Sequence, residues 1–154
     1  FAKKINDTGI DGVLIVDSPP EESVILNKYL KKYKKSHIYL ASPTTTDQRM
    51  KNISKMSSGY VYYVTIKGIT GSQLSNVSSI RKNVNKIKKY SNNNLPVAVG
   101  FGIKDSSSAQ KMAAFSDGII IGSSIVELIH KYSNNEKKMN SKLSTYISSI
   151  SNVI

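Results

Sequence analysis

The fold is decided by the stretch DGIIIGSS, residues 117–124. Its apolar run is typical of a strand buried in a parallel sheet, and its glycine and two serines open a short helix predicted over residues 125–132. The preceding stretch PVAVGFG, residues 96–102, has the same form. Glycines after two successive strands let backbone N–H groups approach an anion, and the helix N-terminus adds a positive dipole end. This layout is typical of the phosphate site after strands seven and eight of a (β/α)8 barrel, although each glycine alone could simply serve a tight turn.

Outward from this stretch, strand-like and helix-like segments alternate along the chain. The pattern predicts strands at residues 11–17, 37–41, 60–65, 96–99 and 117–121. The first of these is apolar enough to predict burial on both faces, and the Ser-Pro-Pro-Glu that follows it at 18–21 predicts a helix start with a capping box. Further helices are predicted over 47–56, 77–90, 105–115, 125–132 and 135–154. Five βα units predict an all-parallel sheet, either open and doubly wound or part of a barrel.

Length and charge limit the possible function classes. At 154 residues the chain is shorter than the roughly 200 to 250 residues of a complete barrel. Its net charge of +12 comes from 22 bases, of which only Arg49 and Arg81 are arginines. The lysines are scattered, which indicates compositional drift of an AT-rich genome more than a nucleic-acid surface. With no cysteine and with His37 far from His130, no metal site is expected. No apolar run approaches about 18 residues, so we expect a cytoplasmic protein with no membrane association.

The segment after the third predicted strand differs from the other loops. It carries Lys67-Gly68-Ile69-Thr70-Gly71-Ser72, in which two glycines and small hydroxyls suggest a mobile lid, although an ordinary surface loop has a similar composition. Tyr62 lies near the carboxyl end of that strand, where parallel folds place ligands. It shares a face with Tyr60, while Val61 and Tyr63 point to the other face.

Five segments together resemble the family of tryptophan synthase α subunits. They are GVLIVDSPPEE at 12–22, GYVY at 59–62, TIKGITG at 65–71, GFGI at 100–103 and GSSIV at 122–126, within a match from about Gly9 to Ile129. That family is a (β/α)8 barrel lyase that cleaves indole-3-glycerol phosphate to indole and glyceraldehyde 3-phosphate. Its partner is a pyridoxal-phosphate-dependent β subunit in an α2β2 complex. The resemblance implies that the α subunit needs no cofactor or metal of its own.

The resemblance also implies roles for individual residues. Backbone N–H groups of Gly71, Gly102, Gly122 and Ser123 would hold the substrate phosphate. The indole pocket would be lined by Leu14, Leu40, Tyr62, Phe101 and Ile120. Thr70 would lie on the lid.

The same resemblance predicts that the front of the domain is absent. Residues 1–154 would be a single partial domain, strands four to eight of the barrel with their helices. The family's catalytic glutamate and aspartate belong to the front part, and Asp17 matches a family aspartate with neither role. Since a retro-aldol cleavage needs an acid and a base, we expect the chain alone to be inactive. Two alternatives remain open, namely another phosphate-binding barrel enzyme and a basic nucleic-acid-binding module.

Overall fold

The computed structural model describes residues 1–65, 77–100 and 102–154. Helices and strands follow one another in the order α1 (Ala2–Asp7), β1 (Gly12–Leu14), α2 (Val24–Lys32), β2 (Ser36–Ala41), α3 (Asp47–Met56), β3 (Val61–Val64), α4 (Val77–Tyr90), β4 (Val97–Gly100), α5 (Ser106–Ala113), β5 (Gly118–Ile120), α6 (Ser123–Tyr132) and α7 (Glu136–Ser151). The predicted alternation of strands and helices is confirmed in these ranges.

The strand order distinguishes between the two architectures that the sequence left open. All five strands are parallel and lie side by side in the order β1-β2-β3-β4-β5. A doubly wound sheet reverses its strand order at a switch point, whereas the wall of a (β/α)8 barrel keeps the order of the chain. The sequential order is therefore that of part of a barrel wall.

The main core lies between one face of the sheet and helices α3 and α4. Val61 and Tyr63 of β3 are fully buried there. The hydroxyl of Tyr63 accepts a hydrogen bond of 2.8 Å from the Asn83 amide, which satisfies a polar atom that would otherwise be costly to bury. Smaller clusters continue this layer at both ends, with Val13 against α1 and α2 and with Ile119 against α5 and α7. Helices therefore cover the side that is the outside of a barrel.

The opposite face of the sheet presents the side chains of the alternate strand residues. Leu40 pairs with Tyr62 across β2 and β3, and Gly100 pairs with Ile120 across β4 and β5. In a parallel sheet such paired residues point to the same side. This face corresponds to the barrel interior, and its carboxyl edge is where ligands bind in such folds.

Two predictions about the start of the chain are wrong. Helix α2 begins at Val24, not near Ser18, and the predicted capping box does not form. Instead the Ser23 hydroxyl donates a 2.6 Å hydrogen bond to the Pro19 carbonyl within a turn. The cause is the pair of prolines, because Pro20 disfavours a helical conformation at the residue before it. The preceding strand is also not buried on both faces, since it lies at a sheet edge and Val16 just beyond it is 72% exposed.

Candidate functional site

A cleft of about 370 Å³ lies at the carboxyl ends of the last three strands. It is formed by the open face of β3 and β5, the turn after β4 and the first residues of α6. Its lining residues are Tyr62, Gly102, Ile103, Lys104, Ile120, Gly122, Ser123, Ser124 and Glu127.

The turn after β4 forms one wall of this cleft. Gly102 has φ +80°, a left-handed conformation that glycine adopts without the steric cost of a side chain. No atom of the described residues lies within 4 Å of a Cβ built at this position, so the backbone conformation is the feature there that favours glycine. Beyond the turn, Asp105 caps α5 through a capping box with Ser108, whose backbone N–H donates to the Asp105 carboxylate at 2.8 Å. The cap ends the loop at a defined position.

The N-terminus of α6 forms the opposite wall. Gly122 precedes the helix, and its carbonyl accepts hydrogen bonds from the N–H groups of Ile125 and Val126. The N–H groups of Ser123 and Ser124 have no acceptor in the part of the chain that the structure describes. Free N–H donors at the positive end of a ten-residue helix form a favourable environment for a phosphate.

Between these walls the ring of Tyr62 lies against the backbone of Gly100. A Cβ at Gly100 would come within 2.6 Å of a Tyr62 ring carbon and within 2.9 Å of the Ile120 Cβ. The absence of a side chain at Gly100 therefore leaves the space that the Tyr62 ring occupies beside the strand backbone. Burial, together with the nearby Tyr60, raises the pKa of Tyr62 above its ordinary value, so its hydroxyl stays protonated at neutral pH.

The structure brings five of the predicted site residues together around the cleft, namely Tyr62, Gly102, Ile120, Gly122 and Ser123. Leu40 pairs with Tyr62 but lines a neighbouring cavity of about 420 Å³ beside the end of β1. Leu14 pairs with Ile38 and lines neither cavity. The remaining predicted residues, Thr70, Gly71 and Phe101, lie outside the described residues. Their roles, like those of all residues assigned by resemblance, stay predictions.

Sequence reasoning missed two charged residues of the cleft, Lys104 and Glu127. Their positions in the sequence could have indicated a place in the cleft. Lys104 follows Gly102 by two residues, and Glu127 lies one turn into α6. In a chain with 22 bases a single lysine does not stand out by composition.

Comparison with protein families gives a match along the whole chain. The model described as "Tryptophan synthase alpha chain" matches residues 1–154. The chain belongs to this family. The tryptophan synthase alpha chain of Vesicomyosocius okutanii is 37% identical over 154 residues, which is 100% of this chain and 57% of the relative. That of Paraburkholderia phytofirmans is 45% identical over 131 residues, 85% of this chain and 48% of the relative. The chain thus spans about half the length of the curated relatives it matches.

Solved structures of tryptophan synthases have the same fold. The subunit alpha from Legionella pneumophila is 32% identical with a TM-score of 0.82, covering 99% of this chain and 55% of that one. The tryptophan synthase of M. tuberculosis in its aminoacrylate-bound form is 26% identical with a TM-score of 0.72, covering 85% and 48%. The Pyrococcus furiosus a2b2 complex shares the fold at 24% identity and a TM-score of 0.83. The predicted fold class, part of a (β/α)8 barrel, is confirmed.

The described residues of this tryptophan synthase family member contain neither a membrane-spanning helix nor a cluster of metal ligands. No helix in residues 1–65, 77–100 and 102–154 is long and apolar enough to cross a membrane. Over the same ranges no three histidine, aspartate or glutamate side chains group together as metal ligands would. The charged side chains among the described lining residues of the cleft are one lysine, Lys104, and one glutamate, Glu127.

Proposed function

We propose that the protein, in its full length, is the α subunit of tryptophan synthase and cleaves indole-3-glycerol phosphate into indole and glyceraldehyde 3-phosphate. The observation that carries this proposal is the cleft itself. It combines the backbone N–H groups of Ser123 and Ser124, which have no acceptor among the described residues, with the ring of Tyr62 and the apolar side chain of Ile120. A substrate with a phosphate at one end and an aromatic ring at the other needs both kinds of surface.

In this proposal the phosphate lies between the turn at Gly102 and the N-terminus of α6. The dipole of α6 and the N–H groups there favour a dianion without a dedicated cofactor. The indole ring extends toward Tyr62 and Ile120, and by resemblance toward Leu14, Leu40 and Phe101. Gly71 would add a further N–H group and Thr70 a lid contact, again by resemblance.

The reaction breaks the bond between indole C3 and the adjacent carbon of the glycerol phosphate side chain. A base removes the proton of the hydroxyl on that side chain as its carbonyl forms, and an acid protonates the indole ring carbon. The bond's electron pair stays with the indole, so no oxidant or reductant is needed. By resemblance these two groups are a glutamate and an aspartate outside residues 1–154, and we propose that residues 1–154 alone do not turn over substrate.

The partner in this proposal is the tryptophan synthase β subunit in an α2β2 complex in the cytoplasm. The β subunit would carry the pyridoxal phosphate, and the α subunit would need no cofactor. Support comes from the family membership and from the tryptophan synthase complexes that share the fold.

The test is an assay of the full-length gene product with indole-3-glycerol phosphate. We expect release of indole by the full-length protein and none by residues 1–154 under the same conditions. Failure of the full-length protein on this substrate, with turnover of another sugar phosphate, would instead support a different phosphate-binding barrel enzyme. A nucleic-acid-binding module would show tight and steeply salt-dependent binding to DNA or RNA.

A further inference from the structure

Two side chains of opposite charge line the cleft and have no role in the proposed reaction. Lys104 lies in the turn after β4, and Glu127 is the fifth residue of α6. Both are exposed. Neither forms an ion pair within the described ranges, in contrast to Lys86, which pairs with Asp47, and Lys88, which pairs with Asp117. Both charges are therefore available to a ligand.

The backbone of Lys104 is held on both sides. Its N–H donates a hydrogen bond of 3.1 Å to the Ser108 hydroxyl, which itself belongs to the capping box of α5. Its carbonyl accepts a hydrogen bond of 3.1 Å from the hydroxyl of Tyr146 on α7. The base of the side chain is thus fixed at the cleft, while the four-carbon stem leaves the ammonium free to reach a ligand.

The other donors of the cleft are neutral. The backbone N–H groups at Gly102, Ser123 and Ser124 carry only partial charges, whereas a phosphomonoester carries close to two negative charges at neutral pH. Lys104 is the one formal positive charge among the described lining residues. A lysine binds phosphate as a mobile point charge, which suits a site whose geometry is set by the backbone.

We propose that Lys104 binds the substrate phosphate and that Glu127 weakens this binding by opposing it. Glu127 attracts the Lys104 ammonium and repels the phosphate from the same cleft, so the pair sets how tightly a phosphorylated ligand is held and how readily a phosphorylated product leaves. This inference rests on the proposed function, which places the phosphate between Gly102 and α6.

The experiment titrates the full-length protein and four single variants with glycerol 3-phosphate, and separately with indole as a probe without charge. We expect Lys104→Gln to raise the Kd for glycerol 3-phosphate about tenfold, and Lys104→Arg to stay near wild type. Glu127→Gln should lower that Kd about threefold, and both effects should shrink in high salt. Lys111→Gln, on the exposed face of α5, is the control for loss of one positive charge that does not line the cleft. The Kd for indole should not change in any variant.

Several outcomes would overturn the inference. Equal effects of Lys104→Gln and Lys111→Gln would assign the loss to net charge, and a weaker affinity in Glu127→Gln would contradict the opposing role. If Lys104→Gln also raised the Kd for indole, the substitution would have damaged the pocket as a whole, and the loss of affinity could not be assigned to a phosphate contact. If wild type binds glycerol 3-phosphate and Lys104→Gln does so equally well, only the role of Lys104 fails. If wild type does not bind it, the proposed phosphate site fails as well.

Discussion

At the scale of single residues, Gly100 is the glycine, among those in the described residues, where an added Cβ would come closest to a neighbouring atom. A Cβ there would meet the Tyr62 ring at 2.6 Å and the Ile120 Cβ at 2.9 Å. Gly100→Ala should therefore move the ring and lower the free energy of unfolding of the full-length protein by about 1 to 3 kcal/mol, as overpacking does. It should also raise the KM for indole-3-glycerol phosphate. Gly118→Ala is the matched control, because its Cβ would be 3.8 Å from Ala98, an ordinary contact.

His37 allows a second prediction at this scale. It is buried at the start of β2, with Nδ1 2.6 Å from the Asn27 Oδ1. Since the Asn27 amide nitrogen donates to the Tyr39 hydroxyl, its oxygen accepts and Nδ1 of His37 carries the proton. Nε2 is buried, with no hydrogen-bond partner in the described ranges. Burial lowers the pKa of His37 below its ordinary value of 6.5, so the folded protein keeps the ring neutral.

The His37 ring binds its proton at a higher pH in the unfolded chain than in the folded chain. Acidification therefore lowers the free energy of unfolding. The free energy of unfolding should be at its full value above about pH 6.5 and fall as the pH drops toward the folded pKa, by at most about 1.4 kcal/mol per pH unit for one group. Urea unfolding of the full-length protein between about pH 5 and pH 8 measures this slope. The slope should be smaller in His37→Leu and unchanged in His130→Gln, whose histidine is exposed. Equal slopes in wild type and His37→Leu would contradict the prediction.

At the scale of elements, Asp117 joins three parts of the fold. It lies just before β5, accepts a 2.9 Å hydrogen bond from the Val97 N–H of β4 and pairs at 2.8 Å with Lys88 of α4. Burial alone would raise its pKa, but these two partners hold the pKa of Asp117 below its ordinary value. The stabilisation is therefore present above about pH 3.8 and is lost as the pH falls through the folded pKa.

Two substitutions distinguish the contribution of the hydrogen bond to Val97 from that of the ion pair with Lys88. Asp117→Asn keeps an acceptor for the Val97 N–H and loses the ion pair, which is partly exposed and should be worth less than about 1 kcal/mol. Asp117→Ala loses both partners and should lower the free energy of unfolding by about 1 to 2 kcal/mol. Urea unfolding of the full-length protein at neutral pH measures both. Equal losses in the two variants would show that the hydrogen bond to β4 contributes nothing.

The elements also show what the sequence could and could not predict. Helix α5 was predicted from Asp105 and forms with that cap, because a capping box depends only on residues a few positions apart. The predicted start of α2 near Ser18 is wrong. The capping-box pattern at residues 18–21 does not start the helix there, because Pro19 and Pro20 form a turn before it. The glycines at the strand ends predict the position of the cleft, and Lys104 lies only two residues after Gly102. The contacts that fix its backbone, with Ser108 of α5 and with Tyr146, which is 42 residues away, could not be predicted from that position alone.

At the scale of the whole molecule, both ends of the sheet leave apolar side chains uncovered. Val16 after β1 is 72% exposed and Ile25 on α2 is 73% exposed. At the other end α6 has no buried residue, and Val126 is 63% exposed. An open parallel edge with apolar flanks is a surface that other chains can pair with. Because the chain spans about half the length of its relatives, we infer that the additional residues of the full-length protein cover these edges.

Residues 1–154 produced alone should therefore be poorly soluble or molten, with strong binding of a hydrophobic dye and no cooperative melt. Adding the part of the Vesicomyosocius okutanii relative that this chain does not match should reduce dye binding and give one cooperative transition, because it would cover both edges. Ile25→Lys should improve the solubility of the chain alone and yet prevent this assembly, whereas Lys142→Gln on the exposed side of α7 should do neither. A cooperative melt of monomeric residues 1–154 without any partner would contradict the prediction, because it would mean that the open edges cost little and that half of the barrel folds as an independent unit.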